Sequence, residues 1–266
     1  MPELPEVETI VRYLRPRLRG GRIIKAETNT PRLFRDYKNP ADVIRKIEGA
    51  KIQDISRRGK NIVFQLSNRK YFLMHLMMSG RLLWNPRDKS PYDRLTLFLS
   101  GRNRLIFNDT RKFGRCRLSD SLDEIVGIEP LAASFAQFEE ILSQRKGAIK
   151  PLLLDQKILA GIGNIYSDEM LWHAGIHPLR KASDLTAKET RLLWSAMRRV
   201  LAKGIEKGGT SMRHFESPNG DLGGYYQIRK VYRRTGERCG RDGAIIERIT
   251  VGQRSTHFCP KHQRLS

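Results

Sequence analysis

The chain has 266 residues, room for one large domain or two modest ones with a real core. Its 50 lysines and arginines against 28 acids give a formal charge of +22 and a pI near 10.4, spread along the whole sequence. That excess points to a polyanionic partner, nucleic acid first. A membrane surface is disfavoured, because there is no basic amphipathic helix, lipidation signal, apolar leader or run of the ~18 apolar residues that a span needs. Three cysteines (Cys116, Cys239, Cys259) are too few for a disulfide framework and suit a reducing compartment, so the expectation is a soluble, cytoplasmic protein.

Residues from Glu3 to about Arg15 read as a helix, with Val7, Ile10, Val11 and Leu14 on one face. Glu8 and Arg12 are spaced to pair on another face, and Pro16 is expected to kink or stop the helix. Gly20-Gly21 completes the break, and strand-like runs follow at Arg22–Ala26, Lys51–Ser56, Asn61–Leu66, Tyr71–Leu76, Arg94–Leu99 and Arg104–Asn108. Many short strands behind one helix predict a sandwich-like domain over 1–122, followed by a linker over 123–133 that contains Gly127–Pro130. Beyond it the period becomes helical. Ser134-Phe135-Ala136-Gln137 and Thr186-Ala187-Lys188-Glu189 both fit capping boxes, the second opening a helix stopped by Gly208-Gly209. Asp155–Ile176 reads as helical segments broken by Gly161 and Gly163, and 209–225 reads as a glycine-rich loop.

Several stretches carry chemistry. If Met1 is removed, Pro2 presents a free secondary amine beside the carboxylate of Glu3. An α-amine titrates near pH 8, so part of it is unprotonated at neutral pH and able to attack an electrophilic carbon. Arg57-Arg58-Gly59-Lys60 lies between two strands, where basic side chains can grip phosphates. Asp109-Thr110-Arg111-Lys112-Phe113-Gly114 sets an aromatic among cations, a pattern suited to wedging into a base stack. Gly161-Ile162-Gly163-Asn164 turns tightly into a helix start, where backbone N–H groups can meet a phosphate. With no third spaced glycine and no preceding parallel strand, it does not read as a nucleotide-cofactor site. Near the C-terminus Cys239-x2-Asp242, sixteen residues and Cys259-x2-His262 have the spacing of a zinc ribbon, with His257 as an alternative ligand. Arg254 lies in the insert, at or near the expected hairpin end.

Taken together these motifs resemble the formamidopyrimidine-DNA glycosylase family, which also contains the endonuclease VIII-like enzymes. The match runs through Pro2–Glu8, Arg57–Lys60, His75-Leu76-Met77-Met78-Ser79-Gly80, Asp109–Gly114, Glu129-Pro130-Leu131, and Asp155-Gln156 through Gly163–Glu169. The resemblance implies an α+β multidomain fold. It comprises an N-terminal β-sandwich with its helix, a helix-two-turn-helix domain over 134–229 and a zinc-finger hairpin over 230–266. It also implies a monomer that flips a damaged nucleotide out of double-stranded DNA. By the same resemblance Pro2 attacks C1′, Glu3 is the acid/base partner, Lys60 binds phosphate and aids catalysis, and Glu6 has an auxiliary part. Met78, Arg111 and Phe113 fill the void left by the flipped base, while His75, Asn164 and Arg254 contact phosphates. Cys239, Asp242, Cys259 and His262 hold one structural zinc ion. Residues 209–225 are similar to the lesion-capping loop of the branch that acts on oxidised purines. The alternatives are the pyrimidine branch and a non-catalytic DNA- or RNA-binding relative, which has no need of Pro2, Glu3 and Lys60 together. Departures from the family pattern are the ligand set, usually four cysteines, and Met77 and Arg233 where glycine is common.

Overall fold

The computed structural model describes residues 1–211 and 215–265; residues 212–214, part of the segment read as a lesion-capping loop, lie outside the described residues. The chain divides into two compact units, Met1–Glu124 with Lys207–Tyr226, and Ile125–Glu206 with Gln227–Ser266. Among the described residues no helix is long and apolar enough to cross a membrane.

The first unit begins with helix α1 (Leu4–Leu18), whose buried Val7, Ile10, Val11, Leu14 and Leu18 form its apolar stripe. Glu3 is its N-cap rather than its first residue, and Pro5 occupies the first turn, where a missing N–H costs nothing. The helix does not stop at Pro16 but carries it to Leu18. Only one hydrogen bond is lost there, in the last turn, and burial of Leu14 and Leu18 holds that turn in place.

The strands that follow pair into antiparallel sheets. β1 (Ile23–Thr28), β6 (Asp93–Leu99), β7 (Asn103–Asp109) and β5 (Gly80–Trp84) form one, in that order. The other runs β2 (Ile52–Arg58), β3 (Asn61–Leu66), β4 (Tyr71–His75), β8 (Arg115–Ser119). Ile52, Ile55, Phe64, Phe72 and Met74 of one sheet and Leu82, Leu95, Leu97 and Phe107 of the other join the α1 stripe in a single core. At roughly 1.5–3 kcal/mol for each fully buried large side chain, that core is what holds the unit together. The sandwich is thus the expected one. Strands β5 and β8 and helix α2 (Pro40–Ile47, capped by Asn39) have no counterpart among the runs legible in the sequence.

In the second unit α3 (Phe135–Ser143) and α6 (Ala187–Glu206) start at the two expected capping boxes, Ser134/Gln137 and Thr186/Glu189. They meet through Phe135 and Trp194, whose rings stand edge to face at 6.0 Å. Between them lie α4 (Ile149–Leu154) and α5 (Asn164–Ala174), the latter closed by Gly175 at φ +71°. A C-terminal hairpin pairs β9 (Glu247–Val251) with β10 (Arg254–Phe258) across Gly252-Gln253, both at positive φ, the turn whose twist matches the strands.

Candidate active site and metal centre

The start of the chain is folded into the first unit. Pro2, Glu3 and Glu6 are buried. Glu6 accepts the Glu3 backbone N–H through Oε2 at 2.8 Å, half of a capping box, and the Thr210 N–H through Oε1 at 2.7 Å. Gly209 makes the second contact possible. It sits at φ +85°, and a Cβ there would lie 2.8 Å from Glu6 Cγ. The Met1 α-amine is held below its usual value of 8.0, chiefly by burial; Glu3 and Glu6 raise it, and Lys60 and Arg111 lower it. Once Met1 is removed the amine becomes that of Pro2, the next residue of the same chain start, beside Glu3 and Glu6. Burial of an amine favours its unprotonated, nucleophilic form. Lys60 stands at the tip of the β2–β3 hairpin, after Gly59 at φ +57°, and is only 6% exposed.

Met78, Arg111 and Phe113 come from two turns that share one support. The buried Asp109 carboxylate receives the Ser79 hydroxyl and the Arg111 N–H (3.1 Å) on Oδ1, and the Gly114 N–H (2.8 Å) on Oδ2. Gly114 must be glycine, since a Cβ would lie 2.5 Å from the Phe107 ring. The outcome is an exposed Met78 on one turn, and on the other the Arg111 guanidinium 4.7 Å from the centre of the Phe113 ring. In the sequence Asp109 stands out only as part of a cluster. Its signal is its place two residues before Arg111, where an aspartate closes an Asx turn.

His75 accepts the Met77 N–H through Nδ1 at 3.0 Å, so its neutral ring carries the proton on Nε2. Burial, with the cations Lys60, Arg115, Arg117 and Arg35, pushes its pKa down to about 4. It is therefore a neutral donor at physiological pH. Met77 and Arg233 adopt φ of +52° and +55°, the left-handed region where glycine is free of strain.

In the second unit Asn164 opens α5 and donates through Nδ2 to the Ser255 carbonyl at 2.9 Å, while its buried Oδ1 has no hydrogen-bond partner among the described residues. Arg254, next to Ser255, is exposed as the first residue of β10. Cys239, Asp242, Cys259 and His262 converge with their ligand atoms within 4.8 Å of one another. Cys259 Sγ lies 3.3 Å from both Asp242 oxygens, His262 Nδ1 2.6 Å from Asp242 Oδ2, and Cys239 Sγ 3.9 Å from His262 Nδ1. Bonds of ~2.0–2.3 Å in a tetrahedron set ligand atoms about 3.3–3.8 Å apart, a spacing these distances bracket. Two thiolates, a carboxylate and an imidazole thus fit a small divalent ion. Around them the Trp172 indole N–H points at Cys239 Sγ (3.3 Å) and the Ala244 N–H at Asp242 (3.0 Å). His257 is not among these ligands, because its Nδ1 faces Asp168 Oδ2 at 2.9 Å.

A two-sheet unit in which Pro2, Glu3 and Glu6 are buried, and a helical unit whose C-terminal hairpin is flanked by a cluster able to hold a metal, share the fold of the helix-two-turn-helix DNA glycosylases. Residues 1–116 match the model of the formamidopyrimidine-DNA glycosylase N-terminal domain, and 126–216 that of its H2TH domain. The formamidopyrimidine-DNA glycosylases of Protochlamydia amoebophila and Lactiplantibacillus plantarum are 41% and 40% identical, covering 99% and 100% of this chain and 100% of each relative. Lactococcus lactis Fpg bound to DNA with an abasic site superposes with a TM-score of 0.90 at 36% identity, covering 98% of this chain and 99% of that one. A MutM complex with DNA containing carbocyclic 8-oxo-G gives 0.90 at 37%, covering 99% and 100%. The chain belongs to the formamidopyrimidine-DNA glycosylase family, and is a DNA glycosylase and AP lyase of base-excision repair.

Proposed function

We propose that the chain excises oxidised purines from double-stranded DNA, and then cuts the strand, through the Pro2 amine freed by removal of Met1. The lone pair of that amine attacks C1′ of the flipped nucleotide as the N-glycosidic bond breaks. Glu3 takes the amine proton and supplies one to the departing side, and ring opening leaves an iminium. The iminium acidifies the C2′ hydrogen, whose removal expels the 3′ phosphate; a second elimination expels the 5′ phosphate. Lys60 holds phosphate beside the amine, and Glu6 has an auxiliary part. Met78, Arg111 and Phe113 occupy the vacated stack, with His75, Asn164 and Arg254 on phosphates. We assign catalysis to the domain over 1–122, DNA binding to that over 134–229 with the loop at 209–225, and the metal to the hairpin over 230–266.

The ion at Cys239, Asp242, Cys259 and His262 is zinc in this reading, stapling a tail with little core of its own. The protein acts as a monomer in the bacterial cytoplasm. The purine branch is supported by relatives solved with DNA containing Fapy-dG and carbocyclic 8-oxo-G.

One observation carries the proposal: the chain start is folded in with Pro2, Glu3, Glu6 and Lys60 all buried, and the Met1 amine preceding Pro2 lies in electrostatic reach of Glu3, Glu6 and Lys60. Borohydride reduction with 8-oxoguanine DNA is expected to trap a covalent adduct on Pro2, and Pro2→Gly or a retained Met1 to abolish or greatly weaken it. Unchanged trapping in both would remove the N-terminal amine from the mechanism. A panel that includes oxidised pyrimidines separates the two branches.

A further inference from the structure

The basic cluster at the β2–β3 turn is not a uniform phosphate grip, because Arg57 turns back from it. Its Nε donates to Glu8 Oε2 of α1 at 3.1 Å, and its Nη1 donates to the carbonyl of Gly59 at 3.0 Å. The other Glu8 oxygen accepts Arg12 Nε at 2.9 Å, which fixes the carboxylate on the helix. The Arg57 side chain is 9% exposed and that of Glu8 22%, so solvent and salt reach the pair only in part. One planar guanidinium thus bonds to the helix that begins just after Pro2 and Glu3, and to the residue just before Lys60. A lysine would have to make both contacts from one ammonium on a flexible stem, without the planar fork that fixes the directions of Nε and Nη1. A second ion pair, Arg15 with Asp54, joins α1 to β2 farther along the helix, through two bonds of 2.8 and 2.7 Å. It is more exposed and lies away from the turn.

We propose that Arg57 is a positioning residue: clamped between Glu8 and the Gly59 carbonyl, it sets the hairpin tip that carries Lys60 against the chain-start amine. This rests on the reading that Pro2 and Lys60 act on the same deoxyribose. Loss of the clamp lets the β2–β3 tip shift relative to α1, which slows the chemical step while leaving the number of phosphates neutralised unchanged. A phosphate-gripping Arg57 behaves in the opposite way. Each lost phosphate contact lowers the slope of log K against log salt by about 0.9 and weakens binding to every sequence.

The test uses the full-length protein with Met1 removed, and 8-oxoguanine DNA. It compares Arg57→Gln, Arg57→Lys, Glu8→Gln and the double variant Glu8→Gln/Arg57→Gln. Single-turnover borohydride trapping at saturating DNA is expected to slow about tenfold in each, with the double variant no slower than the singles, since all remove one contact. DNA affinity is expected to stay within about twofold, and the salt slope of Arg57→Gln to match the wild type. Arg15→Ala serves as the control for a general loosening of α1 and is expected to trap at the wild-type rate. A salt slope lower by about 0.9 in Arg57→Gln would make Arg57 a phosphate ligand and overturn the proposal. So would wild-type trapping rates in the Arg57 and Glu8 variants, or losses that multiply in the double variant. Thermal melts identify any variant that fails to fold, and Arg57→Lys, which keeps the charge, then decides the matter. If the wild-type protein itself traps no DNA, the functional reading fails first and separately.

Discussion

Asp109 is the residue at which a small change should have the largest local effect. Its carboxylate accepts from Arg111 N–H at 3.1 Å, Gly114 N–H at 2.8 Å and the Ser79 hydroxyl, and it is fully buried. Asp109→Asn keeps the shape but leaves one acceptor oxygen and turns an amide NH₂ toward either the Gly114 N–H or the Oδ1 donors. At about 1.5–3 kcal/mol for a hydrogen bond to a charged acceptor, plus about 1–3 kcal/mol for a stranded buried donor, the loss is about 3 kcal/mol. A protein of this size loses about 2–4 °C per kcal/mol, so the melting transition should fall by ~6–12 °C. Because the same carboxylate supports the turns that present Met78, Arg111 and Phe113, discrimination should fall too. Binding to 8-oxoguanine duplex should weaken by about tenfold or more relative to undamaged duplex, the scale of one lost wedge contact. Calorimetry and competition binding read the two effects. An Asp109→Asn protein that melts within about 1–2 °C of wild type and keeps its lesion preference would falsify the assignment of this support.

Arg233→Gly should raise stability by about 0.5–1 kcal/mol, because relief of a left-handed φ of +55° exceeds the entropy that glycine adds to the unfolded chain. Met77→Gly, at φ +52°, should gain less, since a half-buried side chain is lost with the strain; a lower melting temperature in Arg233→Gly would contradict the argument. His75 has a folded pKa of about 4 against 6.5 in the unfolded chain, so the unfolded state binds the extra proton between those values. Its contribution is fully present above pH 6.5 and is lost as pH falls from there through 4, with a slope of up to about 1.4 kcal/mol per pH unit. Denaturant titrations should therefore show the wild type losing ground to His75→Asn over that interval, and parallel profiles would reject it. Removal of the metal by a strong chelator should release about one zinc per chain by elemental analysis and weaken DNA binding; full nicking activity in metal-free protein would contradict this.

Helix starts are legible in this sequence because their rules are local. The two capping boxes mark α3 and α6, since a Ser or Thr three residues before a Gln or Glu satisfies helix-end amides whatever the rest of the fold does. Strand β3 is legible to the residue, Asn61–Leu66, between a Gly-Lys turn and a polar break. Pro16 reads as a stop only if its penalty is weighed as though mid-helix, when the final turn alone is at stake and its apolar side is buried. β5 and β8 escape a local reading because they are short and interrupted by arginine, and sheet partners decide them. At the site, residue types are visible in the sequence, but the pairings that hold them are not. Glu6 with Thr210 and Arg57 with Glu8 are separated by 204 and 49 positions, and no periodicity encodes such distances.

The departures in the metal cluster make physical sense beside what else holds the hairpin. Lys150 Nζ reaches Asp168 Oδ1 at 2.5 Å and the Ser255 carbonyl at 3.2 Å, while Asp168 Oδ2 accepts the His257 backbone N–H at 2.9 Å. Glu169, next along α5, accepts the N–H groups of Lys230, Val231 and Tyr232 at 2.7, 2.9 and 2.9 Å. Burial raises the pKa of Glu169, and the three N–H groups act against that rise. Both carboxylates sit on one helix and grip the chain on either side of Cys239 and Asp242. Breaking a buried pair such as Lys150 with Asp168 by removing one partner costs about 3–5 kcal/mol, so contacts apart from the ligand cluster attach β10 to α5. With the tail held in this way, Asp242 and His262 need only supply ligand atoms to the cluster, and a carboxylate and an imidazole are both competent zinc ligands.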